Sequence, residues 1–227
     1  MRLNEKKRGP DLHNFWLAEI LLALAAALVA NQYWVIDREH SRPPALLIVA
    51  ALVCLSLAAG VGAYRYGIDP GITQLHRVLS QLSAYVTFPL IGLGLLWGRL
   101  GLPKARGKRA PAYGVLVLVV GSALIVAEAG SLPPRLVGSL FSALGLTFWL
   151  LVAVWELIFP RSLRRPLALI LISGALLVIL AGAVVGTDAT RVLGVARMNW
   201  FHLCLAAGAL ALLCARPIFI CGRSESE

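Results

Sequence analysis

Seven long apolar runs, separated by short segments that hold most of the charge, limit what this chain can fold into. They cover residues 15–34, 45–64, 74–97, 112–129, 136–159, 166–186 and 198–218. A helix crosses the hydrocarbon core of a bilayer with about 20 apolar residues, at about 1.5 Å of rise each. Within lipid the backbone must satisfy its own hydrogen bonds, which leaves helices and closed barrels. These runs are continuous rather than alternating, and they are too long for barrel strands. The expected fold is all-α: a polytopic, seven-transmembrane-helix bundle forming a single integral membrane domain over residues 1–227.

Composition supports that reading. Of the 227 residues 59% are hydrophobic and 14% charged, against roughly 25% charged in soluble domains. A chain this apolar cannot cover a water-facing surface. The net charge of +10 raises the question of nucleic acid. The basic residues, however, lie in short runs between apolar segments, where orientation signals and anionic headgroup contacts place them. No basic-aromatic motif accompanies them, so nucleic acid is not expected as a partner. The expected partners are the lipid bilayer and anionic headgroups at the basic loops, especially Lys104 to Arg109.

Local signals sharpen the boundaries. Lys6, Lys7 and Arg8 before the first run resemble a signal peptide, but Glu19 interrupts its apolar core and Leu28 spoils the small-residue cleavage pattern, so a retained helix is expected. Pro43-Pro44 opens the second helix, and Pro133-Pro134 and Pro160 bound the fifth. Pro89 is expected to kink the third. Gly182 with Gly186, and Ala58 with Gly62, are small-xxx-small pairs that let helices approach closely. Cys54, Cys204, Cys214 and Cys221 form no CxxC or CxxCH and read as small packing residues.

Seven crossings put the N-terminal tail and alternate loops on one face and the C-terminal tail on the other. The C-terminal face carries twelve Lys and Arg, the N-terminal face nine. The positive-inside rule therefore predicts a cell-membrane protein with a cytoplasmic C-terminus.

Ionisable groups within membrane helices are costly and mark candidate sites. Glu19 lies about 8 Å into the first helix. His76 opens the third, with Gln81 deeper; Glu128 closes the fourth; Asn199 and His202 open the seventh; His13 precedes the first. Parity puts all of them at one face and at similar depth. Histidine and carboxylate together suit zinc, and a zinc-bound water can attack a carbonyl near neutral pH. In that reading His76 and His202 are metal ligands, Glu19 and Glu128 supply the third ligand or general base, and His13, Gln81 and Asn199 complete a polar cluster. A polar rim bonded to water and headgroups explains the same residues without chemistry. Haem is a further alternative, with His76 and His202 as an axial pair. Glu156, at the opposite face, is expected to snorkel and pair with the basic loop containing Arg161, Arg164 and Arg165.

The seven helices, the N-tail placed outside and the run Asn199-Trp200-Phe201-His202 opening the last helix resemble the seven-helix membrane hydrolase superfamily of alkaline ceramidases and adiponectin-receptor-type proteins. That resemblance implies a three-histidine zinc site and hydrolysis of lipid amide bonds, with His202 the one residue that carries over. The chain departs from the family pattern where Met198 and Ala206 stand four residues either side of His202, and where helices two and three hold no matching Ser, His and Asp set. Three functions follow from the sequence: a non-catalytic accessory or structural membrane protein, placed first because no strong motif is present; a metal-dependent hydrolase of a lipid-like substrate; and a transporter or haem-binding electron-transfer subunit.

Overall fold

The computed structural model describes residues 15–101, 108–128, 133–186 and 190–220. The chain forms α1 (Trp16–His40), α2 (Pro43–Gly67), a 3-10 turn Pro70–Ile72, α3 (Thr73–Leu100), α4 (Ala110–Glu128), α5 (Pro134–Ile158) and α6 (Arg165–Leu180), which continues as a π-helical turn over Ala181–Val185. A hairpin follows, β1 (Arg191–Val192) and β2 (Val195–Ala196), and then α7 (Arg197–Ala211), a 3-10 stretch Leu212–Ala215 and a last short helix α8 (Arg216–Ile220). Helices α1, α2, α3, α5, α6 with its π turn, and α7 through α8 are long and apolar enough to cross a membrane. The apolar stretch of α4, Ala110–Val126, is shorter. The protein is thus an all-α, multi-pass membrane protein with six helices among the described residues long enough for full spans.

The six spans close a ring. Neighbours in the ring run in the order α1, α2, α3, α5, α6, α7 and back to α1, with α8 also reaching α3, while α4 lies outside against α2, α3 and α5. Lipid supplies no hydrophobic drive between helices, so close backbone approach at small residues holds such a ring together. Gly92 and Gly145 let α3 and α5 touch: a Cβ on Gly92 would overlap the Gly145 carbonyl, and one on Gly145 would overlap the Phe88–Pro89 peptide. Gly174 and Gly208 do the same for α6 and α7, where added methyls would collide with Ala211 and Val178. The expected pair Gly182 and Gly186 makes no such contact. Nothing lies near either Cβ position, and Gly186, at φ +68, follows the π turn that ends α6. Helix α3 runs through Pro89 unbroken.

Several boundaries differ from expectation. Helix α1 runs to His40, not Trp34, and Asp37, beyond the expected end, is buried inside it and pairs with Arg109 at 2.8 Å. The last span is three pieces rather than one. Its 3-10 stretch frees the Leu212 carbonyl, which accepts from the Tyr33 hydroxyl at 2.7 Å. Phe219 of α8 then packs edge-on against Tyr33, with ring centroids 5.3 Å apart, and against Gly98 of α3. The strands, which the apolar pattern did not predict, are two residues each and turn through Leu193 and Gly194, both at positive φ. Trp200 Nε1 donates to the Val192 carbonyl at 3.1 Å and fastens this hairpin to the start of α7.

Candidate functional site

The starts of α1, α3 and α7 meet at one end of the ring. Glu19 lies in the first turn of α1, where the positive end of the helix dipole favours a carboxylate, and it is 1% exposed. His76 lies in the opening turns of α3. Its placement is set by the turn before it: Asp69 Oδ1 accepts from the Gly71 amide at 2.7 Å, Thr73 Oγ1 donates to the Pro70 carbonyl at 2.7 Å, and Arg65 Nε donates to Thr73 Oγ1 at 3.0 Å. His202 lies in the second turn of α7 and is buried, 7% exposed.

The three side chains converge on one atom. Glu19 Oε1 is 3.8 Å from His76 Nε2 and 3.6 Å from His202 Nε2. Those two distances add to about 7.4 Å, which bounds the separation of the two imidazoles. Gly62 of α2 makes room for this approach: a Cβ there would lie 2.5 Å from Glu19 Oε1 and 2.9 Å from His76 Nε2. Of the small pair Ala58 and Gly62, Gly62 therefore forms the floor of the site.

Arg65 decides how His76 is protonated. A guanidinium can only donate, and Arg65 Nη1 is 3.0 Å from His76 Nδ1. The neutral imidazole then accepts at Nδ1 and carries its proton on Nε2, facing Glu19. Arg65 is held in place by the Tyr66 hydroxyl, at 3.2 Å from Nη1, with its guanidinium carbon 4.8 Å from the Tyr66 ring centre. The Glu19–histidine distances exceed hydrogen-bond range. Glu19 Oε1 and His202 Nδ1 are buried without a hydrogen-bond partner among the described residues. The cluster thus brings three polar side chains together but leaves hydrogen-bonding capacity unmet.

The other predicted residues fall elsewhere. Asn199 is half-buried one turn before His202. Gln81 is exposed on α3. Glu128, expected to face the bundle interior, is exposed at the end of α4. The correction follows from topology: α4 lies outside the ring, so sharing a face does not bring Glu128 to the cluster. His13 and Cys221 lie outside the described residues. Cys54, Cys204 and Cys214 are free and half-buried.

As a cofactor site the cluster is limited. Among the described residues no group of three or more His, Cys, Asp or Glu side chains has the arrangement to hold a metal ion. The proton that Arg65 directs onto His76 Nε2 removes the lone pair a metal there would need. A bis-histidine haem does not fit, because both Nε2 atoms address the Glu19 carboxylate that stands where the iron would be.

Sequence reasoning missed Arg65 as the organiser of this site. It stands eleven residues from His76 across a turn rich in Gly, Pro, Asp and Thr, and that turn was the available signal. It also misassigned the partner of Glu156. That carboxylate is fully buried, ion-paired with Arg99 of α3, and accepts the backbone N–H groups of Arg161, Ser162 and Leu163 at 3.2, 2.9 and 2.9 Å. The basic loop contributes its backbone, and the cation comes from another helix.

Comparison of the chain with protein-family models, with curated proteins and with solved structures finds no match to any of the three.

Proposed function

We propose that this chain is a seven-span cell-membrane protein with an accessory, non-catalytic role, in which Glu19, His76 and His202 clamp α1, α3 and α7 together at one end of the ring. The observation that carries this reading is the Arg65–His76 contact at 3.0 Å. It puts the imidazole proton on Nε2, the side that faces Glu19, and so turns a metal-type residue set into a polar contact between helices. The 19 residues of α4 amount to about 28 Å at helical rise, close to the hydrocarbon thickness of about 30 Å, which supports α4 as the seventh crossing. The twelve-to-nine basic asymmetry supports a cytoplasmic C-terminus and contact of that face with anionic headgroups.

Two measurements test this. Protein purified without added metal should contain no stoichiometric zinc and show no haem absorption band, while His202→Ala lowers the unfolding temperature in detergent. Stoichiometric zinc defeats the clamp. An exported-type reporter active at residue 227 defeats the orientation, and an even number of crossings from loop labelling defeats the seventh span.

The metal-dependent hydrolase of a lipid-like substrate is the second reading, in keeping with the resemblance to the ceramidase and adiponectin-receptor superfamily. One observation favours it: separations of 3.6 and 3.8 Å from Glu19 Oε1 are near the roughly 3.3 Å between ligand atoms on a tetrahedral ion with bonds of about 2 Å. It requires Arg65 to release His76 Nδ1, so that His76 and His202 become ligands and Glu19 the third ligand or base. In that case Arg65→Gln raises zinc affinity, whereas a clamp gains no affinity.

A further inference from the structure

The hairpin between the sixth and seventh spans holds an apolar residue where a water-facing turn would hold a polar one. Arg191 pairs with Ala196 and Val192 with Val195, which leaves Leu193 and Gly194 as a two-residue turn. Both have positive φ, +53 and +78. Turns of this kind favour Asn, Asp or Gly, because a bulky side chain at positive φ crowds its own backbone. Leu193 is nevertheless there and is 88% exposed, with Val192 48% exposed beside it. Directly opposed residues share one face of a hairpin. Val192 and Val195 therefore form an apolar face that ends in the Leu193 tip, and Arg191 lies on the other face.

Three hydrogen bonds fix where this tip stands relative to the bilayer. The Arg197 amide donates to the Thr190 carbonyl at 2.9 Å, which closes the hairpin directly onto the first residue of α7. Arg197 Nη2 donates to the Val184 carbonyl, in the π turn that ends the sixth span. Trp200 Nε1 donates to the Val192 carbonyl at 3.1 Å, so a residue inside the seventh span holds the residue next to the tip. The span Arg197–Ile220 has 24 residues, about 36 Å at helical rise against about 30 Å of hydrocarbon. Its first residues therefore stand in the headgroup layer, with Trp200 at the hydrocarbon boundary that tryptophan favours. We infer that Val192 and Leu193 insert into the headgroup–acyl boundary of the bilayer at this face, making the hairpin an interfacial anchor for the start of α7. Burial of the two apolar side chains drives the insertion and offsets the strain of a leucine at positive φ. Arg191, on the opposite face of the hairpin, suits a segment with acyl chains on one side and headgroups on the other.

The test uses the full chain in phosphatidylcholine vesicles, in a background lacking the four cysteines. Val192→Cys carries an environment-sensitive fluorophore, so that Leu193 itself is kept. The fluorophore should be shielded from iodide in the water and quenched by lipids spin-labelled near the headgroup. Leu151→Cys, exposed on α5, serves as the lipid-facing reference and should respond to lipids spin-labelled deeper in the acyl chain. Leu193→Asn suits the turn better, so the chain should fold with unchanged helicity, yet iodide quenching at position 192 should rise and quenching by lipid should fall. Iodide quenching with Leu193 in place and no quenching by lipid would put the tip in water. Shielding from iodide and lipid alike would put it against protein. Quenching unchanged by Leu193→Asn would make the leucine a turn residue only. Each of these three results overturns the inference.

Discussion

The two ends of the ring each bury a carboxylate, and they treat it in opposite ways. Glu156 has a guanidinium from Arg99 and three backbone N–H donors, and Arg99 in turn donates to the Phe159 carbonyl at 3.3 Å and lies 4.9 Å from the Trp155 ring centre. Glu19 has two imidazoles at 3.6 and 3.8 Å and no hydrogen bond at Oε1. The first arrangement sets a full counter-charge and three backbone donors against the carboxylate, which is the kind of compensation a buried ion pair needs to offset its desolvation. The second leaves unused capacity close to one membrane surface. The contrast locates structural cost at one end and adaptability at the other. The Glu19 end is where buried hydrogen-bonding capacity is left unmet beside two imidazoles.

The comparison predicts unequal sensitivity to mutation. Arg99→Ala strands the Glu156 carboxylate in a fully buried position and is expected to cost about 3–5 kcal/mol, measured as unfolding free energy by steric trapping in bicelles. Replacing both partners, with Arg99→Leu and Glu156→Gln, should recover part of that loss. A single variant within about 1 kcal/mol of the native chain would break the contrast at its stronger end.

Gly62→Ala comes next. The added methyl enters the space held by Glu19 Oε1 and His76 Nε2, and overpacking of this kind costs about 1–3 kcal/mol. The same variant should separate the two side chains, visible as a change in the His76 ring resonances by NMR. Unchanged resonances and stability would mean that Gly62 does not set the spacing.

Asp37→Asn removes the charge that holds Arg109, whose side chain is 45% exposed and can turn to water. The expected cost is about 1 kcal/mol or less, with increased cysteine labelling at the Arg109 end of α4 as the more sensitive readout. Labelling equal to that of the native chain would show that α4 is fastened by packing alone.

Glu19→Gln should have the smallest effect, within about 1 kcal/mol of the native stability and in either direction. The amide keeps the shape, gives up no hydrogen bond at Oε1, and removes a buried charge. A loss as large as that of Arg99→Ala would erase the difference between the two ends.

Much of this site was legible before any fold was known, because parity acts on sequence alone. Apolar runs fix which helix ends share a face, and that grouped Glu19, His76 and His202, which meet in the structure. The same rule misled for Glu128, since parity says nothing of lateral position and α4 packs outside the ring. Glu156 shows the converse. Its neighbours in sequence are Arg161, Arg164 and Arg165, yet its cation comes from Arg99, more than fifty residues away and adjacent only because Gly92 and Gly145 let α3 and α5 touch. Asp37 escaped notice because an acid near the end of an apolar run reads as the start of a loop until Arg109 is seen beside it.

The sequence by itself determined the class of fold, the approximate spans and the shared face of the polar residues, because the bilayer imposes hydrophobic length and backbone satisfaction on each segment independently. Only the tertiary structure decided the neighbours: that six spans close a ring with α4 outside, and that Arg65 fixes the proton of His76. Those outcomes depend on which small residues allow which backbones to approach, a property of pairs of helices that no single run of sequence contains.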